Sequence, residues 1–314
     1  METVLITGGA GFIGSNLAIE LVNKGYSVKI LDNLMTGKIS NIEPILKNIT
    51  FIKGDIRNLD LLKEAINDVD YIIHEAAQPS LAKSLADPVL TNEINIDGTL
   101  NVLLAAKNSK VKRVVYASSA AVYGDIAKLP IVETSELKPI SPYAATKLAA
   151  ENYCLVFARV FDLKTVCLRY FNVFGPNQDI KSEYATVIPK FINTMLRNQQ
   201  PTIFGDGKQT RDFVYVKNVV EASILAMEKK KAVGEVFNIA SGRKTNLNEL
   251  VEKINEILDK NIEPTYTKPR QGDIKHSVAD IKKAEKLLGY KVKCSLDKGL
   301  SESIEFFRNK NSVP

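Results

Sequence analysis

Tyr143 and Lys147 stand four residues apart in a stretch that reads as a helix, so both side chains leave from one face. A lysine ammonium near a phenol stabilises the phenolate, the form that takes a proton from an alcohol. Spacing alone says little, because a 314-residue chain with 11 tyrosines and many lysines yields such a pair by chance. Position gives the pair meaning. Pro142 suits the first helical turn, and Ser118-Ser119 close an apolar run, Arg113–Ala117, that reads as a strand. Ser119 could donate a hydrogen bond to an oxygen on which negative charge builds. A phenol drawn from about 10 toward neutrality by neighbouring positive charge could then act as a general base.

Such a base serves hydride chemistry only if a hydride acceptor lies beside it, and the N-terminus supplies the signature of one. Val4-Leu5-Ile6-Thr7 runs into Gly8-Gly9-Ala10-Gly11-Phe12-Ile13-Gly14 and then a helical pattern. Gly8 permits a tight turn, Gly11 lets a pyrophosphate approach the backbone, and Gly14 lets the helix pack on the strand. The helix N-terminus offers free N–H groups and a positive dipole end to the phosphates. The second strand ends in Asp32, where an acid accepts a hydrogen bond from a ribose 2′-hydroxyl and repels a 2′-phosphate. That favours NAD over NADP. Downstream, Gly54-Asp55-Ile56-Arg57 follows the third strand, with Asp55 in reach of an adenine amine. His74-Glu75-Ala76-Ala77 follows the fourth, with small residues that let backbone lie against a cofactor.

These motifs need a frame that brings strand ends together. Candidate strands are Thr3–Thr7, Ser27–Asp32, Ile49–Lys53, Tyr71–His74, Arg113–Ala117 and Lys164–Arg169, alternating with helical patterns at Ile13–Lys24, Leu59–Ile66, Val89–Lys107 and Pro142–Phe161. Near-continuous apolar strands separated by helices predict an α/β fold with a doubly wound parallel sheet. Ligands in such folds bind at the carboxyl ends of the strands. After Phe174 helices at Val187–Arg197, Val216–Lys229, Asn246–Leu258, Ile281–Leu287 and Ser295–Arg308 are joined by polar loops. This predicts a smaller C-terminal substrate-binding lobe, with Phe213–Ile239 returning to the main sheet. The expected division is a nucleotide-binding domain of residues 1–174 plus 213–240, and a lobe of residues 175–212 and 241–314.

Composition narrows the alternatives. There is no apolar run long enough for a membrane span and no signal-peptide pattern at the N-terminus. Three dispersed cysteines argue against a disulfide framework and fit a reducing cytoplasm. Two histidines without a nearby cysteine pair predict no metal site. The net charge of +6 has no clustered basic face behind it, so nucleic acid is not an expected partner, while an anionic small ligand is compatible.

The chain resembles the extended short-chain dehydrogenases/reductases, and within them the UDP-hexose 4-epimerases. The segments that carry the resemblance are Thr7–Ser15, Asp32-Asn33-Leu34, Asn95–Thr99, Ser118–Gly124, Ser141–Lys147, Leu168–Pro176, Gly205–Phe213 and Arg270–Asp280. The resemblance implies a catalytic trio of Ser119, Tyr143 and Lys147. It implies NAD contacts from Phe12, Ile13, Asn33, Ile56, Ala76, Ala77, Asn95, Ser118 and Tyr170 besides the residues named above. Related dehydratases and decarboxylases carry an acid after the catalytic serine or threonine, where this chain has Ala120-Ala121-Val122. That departure favours epimerisation of a UDP-sugar through a transient 4-keto intermediate.

For the sugar nucleotide the resemblance assigns Arg211 and Arg270 to the diphosphate and Asn172 to a sugar-nucleotide contact. Val187, Thr202 and Phe204 fall where the family holds uridine, and Ser80 and Asp273 complete the expected contacts. Ser277 falls at a position that gates pocket size in the family, where a small residue admits N-acetylated hexoses. The expectation is interconversion of UDP-GlcNAc and UDP-GalNAc as well as UDP-Glc and UDP-Gal. Activity on UDP-Glc alone, a UDP-uronate 4-epimerase and a non-catalytic NAD-sensing protein are the alternatives. The family's dimers pair helices matched here by Val89–Lys107 and Pro142–Phe161, which predicts a homodimer.

Overall fold

Strands that are apolar on both faces must lie where helices cover them on both sides. The structure, a computed structural model, describes residues 1–179, 187–269 and 275–311. Its first six strands are β1 (Thr3–Thr7), β2 (Ser27–Asp32), β3 (Ile49–Lys53), β4 (Tyr71–His74), β5 (Arg113–Ser119) and β6 (Thr165–Tyr170). Then come the short β7 (Asn172–Phe174), β8 (Thr202–Phe204), β9 (Thr210–Arg211) and β10 (Phe213–Tyr215), followed by β11 (Val236–Ile239). One seven-stranded sheet runs β11-β6-β5-β4-β1-β2-β3, every neighbouring pair parallel. The chain moves outward from β1 to β3 and then crosses to β4 on the other side. The reversal opens a crevice at the carboxyl ends of β1 and β4. This is the doubly wound sheet that the strand pattern predicts.

Three helices cover one face: α2 (Leu59–Ala65), α5 (Gly98–Lys107) and α6 (Pro142–Val160). The core there includes Leu62, Val102, Leu103, Cys154 and Phe157. The other face carries α1 (Phe12–Asn23) and α8 (Val216–Glu228), which touch each other. Beyond them lie α7 (Val187–Leu196), α9 (Leu247–Leu258) and α11 (Leu296–Asn311), with α10 (Lys282–Leu288) against α8 and β11. No helix among the described residues is long and apolar enough to cross a membrane.

Two expectations need correction. Only Val236–Ile239 returns to the main sheet. Phe213–Tyr215 pairs instead with Asn172–Phe174 in a separate two-stranded sheet, because the chain leaves β6 at Phe171 and β11 fills the slot beside β6. Val89–Lys107 is not one regular helix either. It runs as α4 (Pro88–Asn92; α3, Leu81–Ala86, precedes it), one π turn over Glu93–Asp97, and α5. Such turns insert a residue into the helix and recur at functional sites. This one contains Asn95.

Candidate active site

Gly8 has a φ of +71°, and a Cβ there would stand 2.7 Å from the Ala76 nitrogen, so glycine alone lets β1 turn this close to β4. A Cβ on Gly14 would collide with the Gly8 carbonyl, so α1 can start against the loop only at a glycine. Gly11 begins α1 with no side-chain cap, leaving the first N–H groups of the helix for a ligand. A cleft of about 220 Å³ opens here, with Gly8, Gly11, Phe12, Ile13 and Gly14 in its wall. Asp32, Asn33, Asp55, Ile56, Ala76 and Ala77 also line it, as a dinucleotide requires.

At the adenosine end the acids are already organised. Asp32 accepts from the Ala10 nitrogen at 3.0 Å and the Leu34 nitrogen at 2.8 Å. Burial pushes its carboxyl up and these bonds oppose that. Its remaining lone pairs fit a ribose hydroxyl. Asp55 accepts from Asn33 Nδ2 at 2.8 Å and from Arg57 Nε and Nη2 at 3.0 and 2.9 Å. Burial would raise it, but the Arg57 and Asn33 hydrogen bonds and the guanidinium charge bring it down to about 2.

Behind the cleft a one-way chain of hydrogen bonds fixes the loop after β4. Thr99 Oγ1 donates to the Asn95 carbonyl at 2.6 Å, so it must accept from His74 Nε2 at 2.9 Å. The other ring nitrogen then accepts from Thr7 Oγ1 at 2.6 Å. Burial holds this imidazole at about 3, and Lys147 adds to the effect, so it stays neutral. Asn95 accepts from the Gln78 nitrogen at 2.7 Å and donates to Thr146 Oγ1 at 2.9 Å. Its side chain ties the β4 loop to α6, and it therefore stands as a positioning residue beside the cleft.

The π turn and Ser141 together set the face of α6 that carries Tyr143 and Lys147. Ser141 accepts from the Ala144 nitrogen at 3.2 Å and Pro142 fills the first helical position, which starts the helix at Tyr143's doorstep. Lys147 is buried one turn on and donates to the Ala117 carbonyl of β5 at 2.7 Å. Burial lowers its ammonium to about 8, against the pull of Glu75. Ser119 is the hydroxyl beside the Tyr143 phenol, and it draws that phenol down. The trio is thus assembled at the end of β5, but a correction applies to its electrostatics. The protein's own groups leave the phenol above its ordinary value: burial raises it, Ser119 lowers it, and Glu75 raises it again. The expected depression by Lys147 is absent because burial brings that ammonium to about 8, so it sheds its proton before a phenol raised above 10 can ionise.

Two further expected contacts turn out differently. Ser118 faces away from the cleft and donates to Glu151 Oε2 at 2.6 Å; Glu151 is in turn paired with Arg169 at 2.6 Å in a buried network. Only its backbone is left for a cofactor. Tyr170 is buried and donates to Glu75 Oε1 at 2.8 Å, so it meets the cleft through Glu75. Glu75 lines the cleft, yet sequence reasoning passed over it in favour of the alanines that follow. Its signal was available: an acid one residue past an apolar strand at the ligand-binding edge.

On the substrate side the structure clusters some expected residues and scatters others. Arg211 and Ser277 come together, because Thr210 bridges His276 and its carbonyl accepts from the Ser277 nitrogen at 3.1 Å. Asn172 joins them, its backbone and side-chain nitrogens both 3.2 Å from the Asp212 carbonyl. Asp212 itself accepts from Ser241, Gly242 and Ala279. Phe204 lines a second cleft of about 890 Å³ with Lys208, Gln209, Tyr266, Lys275 and His276, none of which sequence reasoning singled out. Tyr266 belongs to a three-residue strand, and the other four sit in loops or an isolated bridge beside such short strands, which leave no periodic signal. Thr202 is exposed, its hydroxyl 3.3 Å from that of Thr265, and lies outside the lining of this cleft. Ser80 uses its hydroxyl to cap α3, accepting from the Lys83 nitrogen at 3.2 Å. Val187 opens α7 and is half-buried. Arg270 and Asp273 lie outside the described residues.

Residues 4–240 match the model of the NAD dependent epimerase/dehydratase family. The chain is 42% identical to a putative UDP-glucose 4-epimerase of Methanocaldococcus jannaschii, over 98% of this chain and 99% of that one. It superimposes with a TM-score of 0.94 on the UDP-glucose 4-epimerase of Thermotoga maritima solved with UDP-glucose, at 40% identity, covering 99% of this chain and 100% of that one. The TM-score is also 0.94 against the UDP-N-acetylglucosamine 4-epimerase of Methanobrevibacter ruminantium in complex with UDP-N-acetylmuramic acid. There the identity is 41%, over 98% and 99% of the two chains. The chain therefore belongs to the NAD-dependent epimerase/dehydratase family, as an isomerase of the epimerase type that works with NAD.

Proposed function

We propose that this protein inverts C4 of UDP-hexoses, interconverting UDP-GlcNAc and UDP-GalNAc as well as UDP-Glc and UDP-Gal. The observation that carries the reading is the trio at the end of β5, followed by the acid-free turn Ala120–Tyr123. NAD bound beside it would supply a reversible hydride acceptor. Tyr143 takes the proton of the sugar 4-hydroxyl and later returns it, while Ser119 holds that oxygen by a hydrogen bond. Lys147 stays fixed on Ala117 as a nearby positive charge. Together with the charge of an oxidised nicotinamide it lowers the cost of the phenolate, which the protein alone leaves high. No acid follows Ser119 to expel water or assist decarboxylation, so the keto sugar can only be reduced again, from either face. Arg211 beside Ser277 supports a diphosphate held next to a gate wide enough for an N-acetyl group. In this reading residues 1–174 with 213–240 hold the cofactor, and residues 175–212 with 241–314 hold the nucleotide sugar.

The test is incubation with UDP-GlcNAc, UDP-Glc and UDP-GlcA separately, without added NAD, followed by separation of the products. Conversion of the first two supports the proposal and shows that NAD travels with the protein. Conversion of UDP-GlcA alone would replace it with a uronate epimerase. The homodimer belongs to the same proposal. Leu81, Leu85, Val89, Val156, Val160 and Phe161 stand exposed on or at the ends of α3, α4 and α6, an apolar surface of the kind that marks an interface. Sedimentation at monomer mass would remove it.

A further inference from the structure

The cofactor cleft contains one acid whose position no part of the proposed reaction uses. Glu75 follows β4 and lines the cleft next to Ala76 and Ala77. Its Oε1 is anchored by the Tyr170 hydroxyl at 2.8 Å, and that hydroxyl lies 2.9 Å from Ser223 Oγ, which donates to the Val219 carbonyl. Its Oε2 has no hydrogen-bond partner among the described residues. The groups facing it are Tyr170 from β6, and Tyr143 and Lys147 from α6, both of which feel its charge. His74, on its own strand, is tied up with Thr7 and Thr99 and is neutral. The chain of hydroxyls is complete for either form of the acid. As a carboxyl it can donate to Tyr170, which then donates to Ser223; as a carboxylate it accepts from Tyr170. A dinucleotide that starts at Asp32 and ends at Tyr143 must pass Glu75 with its nicotinamide half.

We propose that Glu75 is the charge-compensating residue of the cofactor cleft, losing its proton to solvent when the positively charged oxidised nicotinamide binds and keeping it when the neutral reduced ring binds. Burial pushes this carboxyl up to about 7, against the Tyr170 hydrogen bond and the Lys147 charge, so near neutral pH a small added field decides its state. The proton balance is closed: one proton leaves the carboxyl as one positive ring enters. Glu75 thereby biases the cleft toward NAD over NADH without touching the sugar. The test is calorimetric titration of NAD and of NADH into the protein stripped of cofactor, at pH 7, in two buffers of different ionisation enthalpy. Expected for the parent is release of a measurable fraction of a proton with NAD and none with NADH. Glu75→Gln keeps the shape and the hydrogen bond to Tyr170; it should abolish the release and weaken NAD relative to NADH about tenfold. Unchanged proton release in the variant, or equal release with both nucleotides in the parent, would overturn the proposal. No sugar is present, so the result is independent of the substrate reading.

Discussion

The cofactor cleft and the cleft proposed for the nucleotide sugar are built by different means. The first is shaped by backbone: a left-handed Gly8, a glycine at the start of α1, and an uncapped helix end between two adjacent strands of one sheet. The second is assembled from side chains on fragments of two or three residues that pair across long stretches of chain, such as Thr202–Phe204 with Thr265–Thr267 and Thr210–Arg211 with Thr245-Asn246. A backbone site admits few residue types and so keeps one ligand. A site of converging side chains can be retuned one residue at a time.

The largest effect that tests it is at the boundary between the clefts. Tyr143→Phe should lower turnover on UDP-sugars by roughly 10²–10⁴-fold, the usual weight of a general base, while leaving NAD binding intact. Loss of NAD binding together with activity would show that the two clefts are not separable at Tyr143. Next in size, Gly14→Val drives a side chain into the Gly8 carbonyl. It should abolish NAD retention and reduce the melting free energy by about 1–3 kcal/mol, the range for overpacking; retained NAD would show that the backbone cradle yields. Ser277→Tyr probes the opposite side. UDP-GlcNAc conversion should fall by roughly 10–100-fold, in line with about 1–3 kcal/mol for a pocket mismatch, with UDP-Glc conversion spared. Equal losses on both would mean that Ser277 is not a gate.

The smallest expected effect is a pH slope. His74 is held at about 3 against an ordinary 6.5, so its contribution to stability is complete above pH 6.5 and is lost as pH falls toward 3. Glu75 is pushed from an ordinary 4.5 to about 7, so its contribution is complete below pH 4.5 and is lost as pH rises through 7. Where those windows overlap, between pH 4.5 and 6.5, the two neighbours oppose each other. Removing one side of the opposition with Glu75→Gln should make stability of the cofactor-stripped protein rise with pH more steeply between pH 4.5 and 6.5. The added slope is at most ~1.4 kcal/mol per pH unit, one proton's worth. Unfolding midpoints in urea across that range would show it, and parallel profiles for parent and variant would exclude it.

The same contrast decides what could be read from the residues. β1 to β4 have the limits that their apolar runs predict; for β1, β2 and β4 this follows from burial on both faces, whereas the edge strand β3 leaves Thr50 and Lys53 exposed. β5 runs two residues further, through Ser118 and Ser119, because these pair with Arg169 and Tyr170 and not because they are apolar. The π turn around Asn95 carries no composition signal, since it is set by hydrogen bonds to Gln78 and Thr146 that are distant in sequence. Ser118 and Thr202 were misplaced for a related reason. Their neighbours Glu151 and Thr265 come from other elements, and only the fold shows which way each hydroxyl turns. Tyr266, Lys208 and Lys275 belong to the same class.

One feature of the packing bears on how the sugar is turned. Ile6, Val115 and Leu168 of the sheet lie in a single core with Ile192 of α7, Leu250 of α9 and Phe307 of α11. Domains that swing on a hinge meet across a seam with few contacts, whereas here one cluster of packed apolar side chains joins the sheet to the helices beyond it. The chain should therefore open as one cooperative unit. Amide protons of β1 and of α9 should show the same opening free energy as denaturant is raised, whereas a mobile lobe would let α9 exchange first. In the proposed reaction both faces of C4 have to be turned to one bound cofactor, and such a shared core favours rotation of the sugar over movement of the protein around it.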